Sequence, residues 1–145
     1  MLNFNQALSE QISIPDLQMK EVKPIMKLII RGKKREFISA IGKSLNILLP
    51  TEANTSAQSD KLTAVWLSPD EWMIYSNEPV NENSNHYETE DLLNNNISKL
   101  NLGAITDVTD QFVMINLKGN KIYELFKTGS PFNFNDFQNK KGAVT

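Results

Sequence analysis

The sequence contains no cysteine. That one absence excludes disulfides, thiolate-bound zinc, iron–sulfur clusters and a thiol nucleophile together, and it fits a reducing compartment. Histidine is nearly absent as well. His86 stands alone in a polar stretch, so neither a histidine-based metal centre nor a nucleophile–histidine–acid triad has the residues it needs. An ordinary exposed histidine is the expectation there. No run approaches the ~20 apolar residues of a membrane span. The N-terminus, MLNFNQALSEQISIPDL, lacks the basic start and apolar core of a signal peptide. These features predict a soluble, cytoplasmic chain with no membrane contact. Surplus positive charge is also missing. Lys and Arg number 15 against 17 Asp and Glu, a net charge of −2 with pI about 5.4, and this leaves no electrostatic footprint for nucleic acid. The six glycines are scattered and form no dinucleotide-binding fingerprint. AIGKSLN has the lysine and serine of a phosphate-binding loop, but Phe37 stands where the first glycine must be.

What remains is an ordinary globular pattern. A chain of 145 residues suits one domain and buries roughly two-thirds of its unfolded surface without staples. Residues 1–23 are mixed and polar, and Pro15 breaks any helix there, so an N-terminal arm precedes a single α+β domain over 24–145. Two small subdomains, about 24–100 and 101–145, are an alternative division. IMKLIIRG (25–32) is short, apolar and β-branched, the pattern of a central strand. Phe37, Ile41, Leu45 and Leu48 then recur on one helical face. TEANTSAQSD (51–60) has loop composition. KLTAVWLS and EWMIYS flank Ser68-Pro69-Asp70-Glu71. Pro69 presets the first central position of a β-turn and Ser68 can bond locally, so residues 62–76 read as a hairpin. A helix is predicted over Glu88–Leu100, with Leu92, Leu93, Ile97 and Leu100 inward. AITDVTD and FVMINLKG read as strands joined at Asp110-Gln111. NKIYELFKTG reads as a helix with Asn120 as N-cap and Gly129 as stop. SPFNFNDF is an aromatic loop, and KKGAVT begins another strand. The order predicts a mixed or antiparallel sheet with helices packed on it, of the ferredoxin-like kind.

No catalytic set assembles from these elements. Asp70 and Glu71 are adjacent, so on a hairpin they point to opposite faces and serve poorly as a paired acid and base. One is expected to organise the turn and the other to be solvated. Asp107 and Asp110 bracket Thr109 at a strand end, too few oxygen ligands for calcium, and a turn-stabilising role is the better reading. Arg31, Lys33, Lys34 and Arg35 cluster in RGKKRE, where a solvated turn is the simplest expectation and an anion or acidic partner the sharper one. Trp66 and Trp72 fit a hairpin anchored on the helices, since a buried indole covers much apolar area and needs a partner for its N–H. A docking surface is the alternative.

Several ordered runs, between about residues 29 and 145, resemble the gamma subunit of heterotetrameric sarcosine oxidase. They are Pro50, Thr51, Glu52 and Asn54; Trp66, Leu67, Pro69, Asp70, Glu71 and Trp72; Asp107, Val108 and Thr109; and Gly129 with Pro131. The resemblance implies a fold like the folate-binding domain of the glycine-cleavage T-protein. It implies a complex of alpha, beta, gamma and delta subunits that oxidatively demethylates sarcosine to glycine and forms methylenetetrahydrofolate. FAD, FMN and NAD would belong to the alpha and beta subunits and zinc to delta. The gamma-like chain would hold no cofactor and no catalytic residue, and would pack against alpha, with the N-terminal arm as an interface element. Many relatives carry cysteine where this chain has Ser130 and Ala143, which implies that those thiols are dispensable. Relatives also continue well past the position of Thr145, and a missing C-terminal strand would leave a sheet edge for another chain to cover. The alternative function is a stand-alone folate-binding or one-carbon-transfer module, with Asp107 the best candidate to bond a pterin ring.

Overall fold

A computed structural model describes residues 5–8, 10–80, 87–137 and 140–145; His86 lies outside the described residues. In chain order the strands and helices are β1 (Ile12–Ile14), β2 (Leu17–Glu21), β3 (Lys27–Arg31), α1 (Arg35–Leu45), β4 (Ser56–Gln58), β5 (Leu62–Ser68), β6 (Glu71–Ser76), α2 (Glu88–Leu93), β7 (Ala104–Asp107), β8 (Ile115–Lys118) and α3 (Ile122–Lys127). A wider π-type turn over Asn94–Ser98 extends α2, and a 3₁₀ turn spans Phe134–Phe137. The protein is α+β with two antiparallel sheets, ordered β1-β2-β8 and β4-β5-β6-β3-β7. It divides into two compact units. One comprises residues 25–111 with 142–145, and the other residues 1–24 with 112–141.

The larger unit is the split β-α-β arrangement predicted from the sequence. β3, α1, β5, β6, α2 and β7 follow one another, and β3 lies between β6 and β7 in the sheet. Register explains its core. Leu28 pairs with Ile74, Ile30 with Trp72, Ala64 with Ile74 and Trp66 with Trp72. Directly paired residues share a face, so this face presents a continuous apolar surface. α1 brings Phe37 and Ile41 to the same core, and the α2 segment brings Leu93 and Ile97. Each such aliphatic or aromatic side chain contributes about 1.5–3 kcal/mol by leaving water.

Four local expectations change. Leu48 is 85% exposed, because Asn46 takes a left-handed φ of 50° and ends α1 after Leu45. Leu92 and Leu100 are exposed: Leu92 is about 100° round the helix from the inward Leu93, and Leu100 falls beyond the π-type turn that ends at Ser98. Residues 56–58, within the segment read as loop, form β4 against β5. Asn120 is not the cap of α3: Lys121 holds that position with no side-chain cap bond.

AITDVTD and FVMINLKG do form strands, but not a hairpin. β7 pairs with β3, whereas β8 pairs with β2 in the other sheet. Residues 142–145 run beside the β4 segment: Ser56 N–H donates to the Gly142 carbonyl at 2.8 Å, and Val144 N–H to the Asn54 carbonyl at 3.1 Å.

In the smaller unit β1 and β2 form a hairpin across Pro15-Asp16. Pro15 fixes φ at the first turn position, and Asp16 takes the left-handed φ of 64° that the second requires. Gly119 has φ 127°, and any Cβ there would overlap the Asp16 backbone, so only glycine fits. Behind α3, the rings of Phe126, Phe132, Phe134 and Phe137 stack or meet edge-on at 5.2–6.0 Å around a buried Phe134.

Candidate functional site

The tryptophan hairpin joins three of the sequence-selected runs. Trp72 is 2% exposed and stacks on Phe37, with ring centroids 6.0 Å apart. Its indole Nε1 donates to the Pro50 carbonyl at 2.7 Å. That bond ties β6 to the segment entering Thr51, Glu52 and Asn54 and satisfies the one polar atom a buried indole carries. Thr51, Glu52 and Asn54 are themselves exposed. The Thr55 hydroxyl donates to the Glu52 carbonyl at 2.6 Å, and Asn54 has a φ of 60°, so this run is a tight turn. Trp66 is half-buried at the margin of the core.

At the hairpin tip a register shift between Trp66 and Ser68 bends the strand. Ser68 Oγ donates to Asp70 Oδ1 at 3.0 Å, and Gly32 N–H donates to the Asp70 backbone carbonyl at 2.9 Å. Arg31 Nε and Lys33 Nζ each approach Asp70 Oδ2 to 3.7 Å. The basic run is a solvated turn, with Arg31 62% and Lys33 83% exposed, and these two cations face the hairpin's carboxylate. The Ser68 bond, followed by Arg31 and Lys33, holds the Asp70 carboxyl below its ordinary value of 3.8. A lowered carboxylate stabilises the fold fully above 3.8 and loses that contribution as pH falls through the folded-state value. Asp70→Asn is expected to be modestly less stable than the parent at neutral pH. The difference should shrink on acidification below 3.8, which urea unfolding at the two pH values measures.

A second cluster was missed in the sequence except for its aspartates and threonine. Lys27 is only 4% exposed. Its Nζ donates to the carbonyls of Ile25 and Thr109, both at 2.9 Å. Its own backbone N–H donates to Thr109 Oγ1 at 3.0 Å, and Thr109 N–H donates to Asp107 Oδ1 at 2.8 Å. Burial lowers the Lys27 pKa below 10.5, while Asp110 and Asp107 act to raise it. The available signal was a lysine inside the apolar run IMKLII. Asp107 and Thr109 thus lock the exit of β7 to the start of β3, and the Asp107 oxygen is engaged in a turn.

The remaining selected positions do not join these clusters. Gly129 and Pro131 lie in the smaller unit and are exposed; the Gly129 N–H closes α3 on the Phe126 carbonyl at 3.1 Å. Pro69 is exposed at the hairpin tip and Glu71 pairs in register with Arg31. An open cleft of about 640 Å³ lies between Leu45–Leu48 and Ala57–Lys61, with Asp60 and Lys61 at its polar wall. Among the described residues, no group of three or more His, Asp or Glu is placed to hold a metal ion, and no helix is long and apolar enough to cross a membrane.

The chain matches no protein-family model and no curated protein. Among solved structures it is similar to a chain of heterotetrameric sarcosine oxidase from Corynebacterium sp. U-96, determined in complex with pyrrole 2-carboxylate. The TM-score is 0.73 at 16% sequence identity, over 90% of this chain and 64% of that one. This chain therefore spans less than two-thirds of its neighbour's length. The likeness establishes a fold shared with a chain of that oxidase.

Proposed function

We propose that this protein is a non-catalytic structural subunit, of the gamma type, in a heterotetrameric complex that oxidatively demethylates sarcosine to glycine. In this reading it packs against the alpha subunit and binds no cofactor of its own. FAD, FMN and NAD belong to the alpha and beta companions, zinc to delta, and methylenetetrahydrofolate is formed elsewhere in the assembly. The observation that carries the reading is the shared fold with a chain of heterotetrameric sarcosine oxidase over 90% of the sequence. The site geometry is consistent with it. Asp70 and Asp107 are committed to a turn and a strand lock, and such structural work is what a scaffold asks of its carboxylates.

The open cleft near Asp60 supports a second reading, a stand-alone folate-binding or one-carbon-transfer module, since its volume falls in the usual range for small-ligand sites. Calorimetric titration of the isolated chain with tetrahydrofolate separates the two. The subunit reading predicts no saturable heat. A stoichiometric isotherm, abolished by Asp60→Ala, would replace it with the folate module.

A further inference from the structure

The β1-β2-β8 sheet has two unlike faces. Ile12 pairs with Met19 and Met19 with Leu117; Ile14 pairs with Leu17, and Glu21 with Ile115. Paired residues and alternate residues share a face, so one side is apolar except for Glu21. The opposite side carries Ser13, Gln18, Lys20, Asn116 and Lys118 and is an ordinary solvated face. On the apolar side Ile12, Ile14 and Ile115 are 45%, 54% and 40% exposed. β1 is also the outermost strand of the sheet, so it presents one unpaired row of backbone groups beside that face.

Glu21 is the one charged residue on this side, and it is 5% exposed. Its Oε2 accepts a hydrogen bond from Leu8 N–H at 2.8 Å, while Oε1 is buried with no partner among the described residues. A buried carboxylate oxygen left unpaired is costly. No described residue of the three strands supplies a cation to this face, because Lys20 and Lys118 point to the other side by register. A cation that reaches Oε1 would satisfy the oxygen that the described residues leave unpaired.

We propose that the apolar face of this sheet is a protein-docking surface. Its partner presents apolar side chains together with one arginine or lysine that pairs with Glu21. A second copy of the chain does not meet this description: face to face, the described strands of two copies bring apolar groups and two carboxylates, with no cation among them. The occupant is therefore a different protein. For its identity, a companion subunit of the oxidase complex, the proposal rests on the functional reading above.

The test is co-expression of the tagged full chain with the alpha, beta and delta subunits, followed by affinity capture and quantitation of the companions. Ile12→Asp with Ile14→Asp is expected to cut their recovery by about tenfold or more, because both positions are exposed and the fold should persist. Glu21→Gln keeps the shape, removes the charge and should weaken capture several-fold in low-salt washes, a difference that shrinks as salt screens the ion pair. Lys20→Gln, on the opposite face, should change nothing. Full recovery with the Ile12/Ile14 variant overturns the docking surface and leaves the subunit reading standing. If the wild-type chain captures no companion, both fall. A dimer of the isolated chain that the Ile12/Ile14 variant dissociates would make the occupant a second copy and overturn the proposal.

Discussion

Trp72→Ala is expected to remove about 3–5 kcal/mol of stability, the usual cost of deleting a buried large aromatic. Three losses coincide at this position. The indole leaves the core face it shares with Ile30 and Ala64, Phe37 loses its stacking partner, and the buried Pro50 carbonyl loses its donor. A domain of this size holds only about 5–15 kcal/mol in reserve, so the variant should unfold at much lower urea. Trp72→Phe keeps a ring against Phe37 while losing the Nε1 bond and the extra volume of the indole. It should fall between the parent and the alanine variant. Trp66→Ala should cost distinctly less, because Trp66 sits at the core margin. Equal costs for Trp66→Ala and Trp72→Ala would contradict the assignment of Trp72 as the hairpin's anchor.

Replacing Lys27 by Met should destabilise by about 1–3 kcal/mol, although it removes a buried charge. Buried cations are often replaced at no cost, but here the amine serves two backbone carbonyls, those of Ile25 and Thr109. Methionine fills the space and leaves both acceptors without a donor, which outweighs the desolvation it saves. The pH dependence carries a definite sign. The Lys27 pKa is lowered from 10.5 by burial, so between the folded value and 10.5 the unfolded chain holds more protons. Stability from this group therefore rises with pH across that window. The gap between the parent and Lys27→Met should widen as pH climbs toward 10.5, and urea midpoints at neutral and alkaline pH measure it.

The parts legible in the sequence were those whose signal is local. The period-2 pattern of EWMIYS and the Ser-Pro-Asp-Glu corner specify the hairpin and its inward face. The Phe37–Ile41–Leu45 spacing specifies α1, and the strand–helix order specifies the α+β class. Misreadings arose where a few atoms or a distant partner decide. The left-handed turn at Asn46 removes Leu48 from a stripe that spacing alone would extend. Leu100 falls beyond the π-type turn that ends at Ser98. Nothing within AITDVTD or FVMINLKG says that the first strand pairs with residues 28–31 and the second with 18–21, because strand pairing is a tertiary choice. The convergence of Arg31 and Lys33 on Asp70, and the burial of Lys27 and Glu21, depend in the same way on which strands become neighbours.

The proposed role requires this chain to work as a subunit and not alone. Co-expression with the alpha, beta and delta companions, purification on a tag carried by this chain, and assay of the eluate for sarcosine-dependent oxygen uptake test it most directly. That role predicts a yellow, flavin-containing complex that oxidises sarcosine, with this chain in fixed ratio to its companions. Elution of the chain by itself, colourless and inert toward sarcosine while the companions assemble without it, would contradict that role.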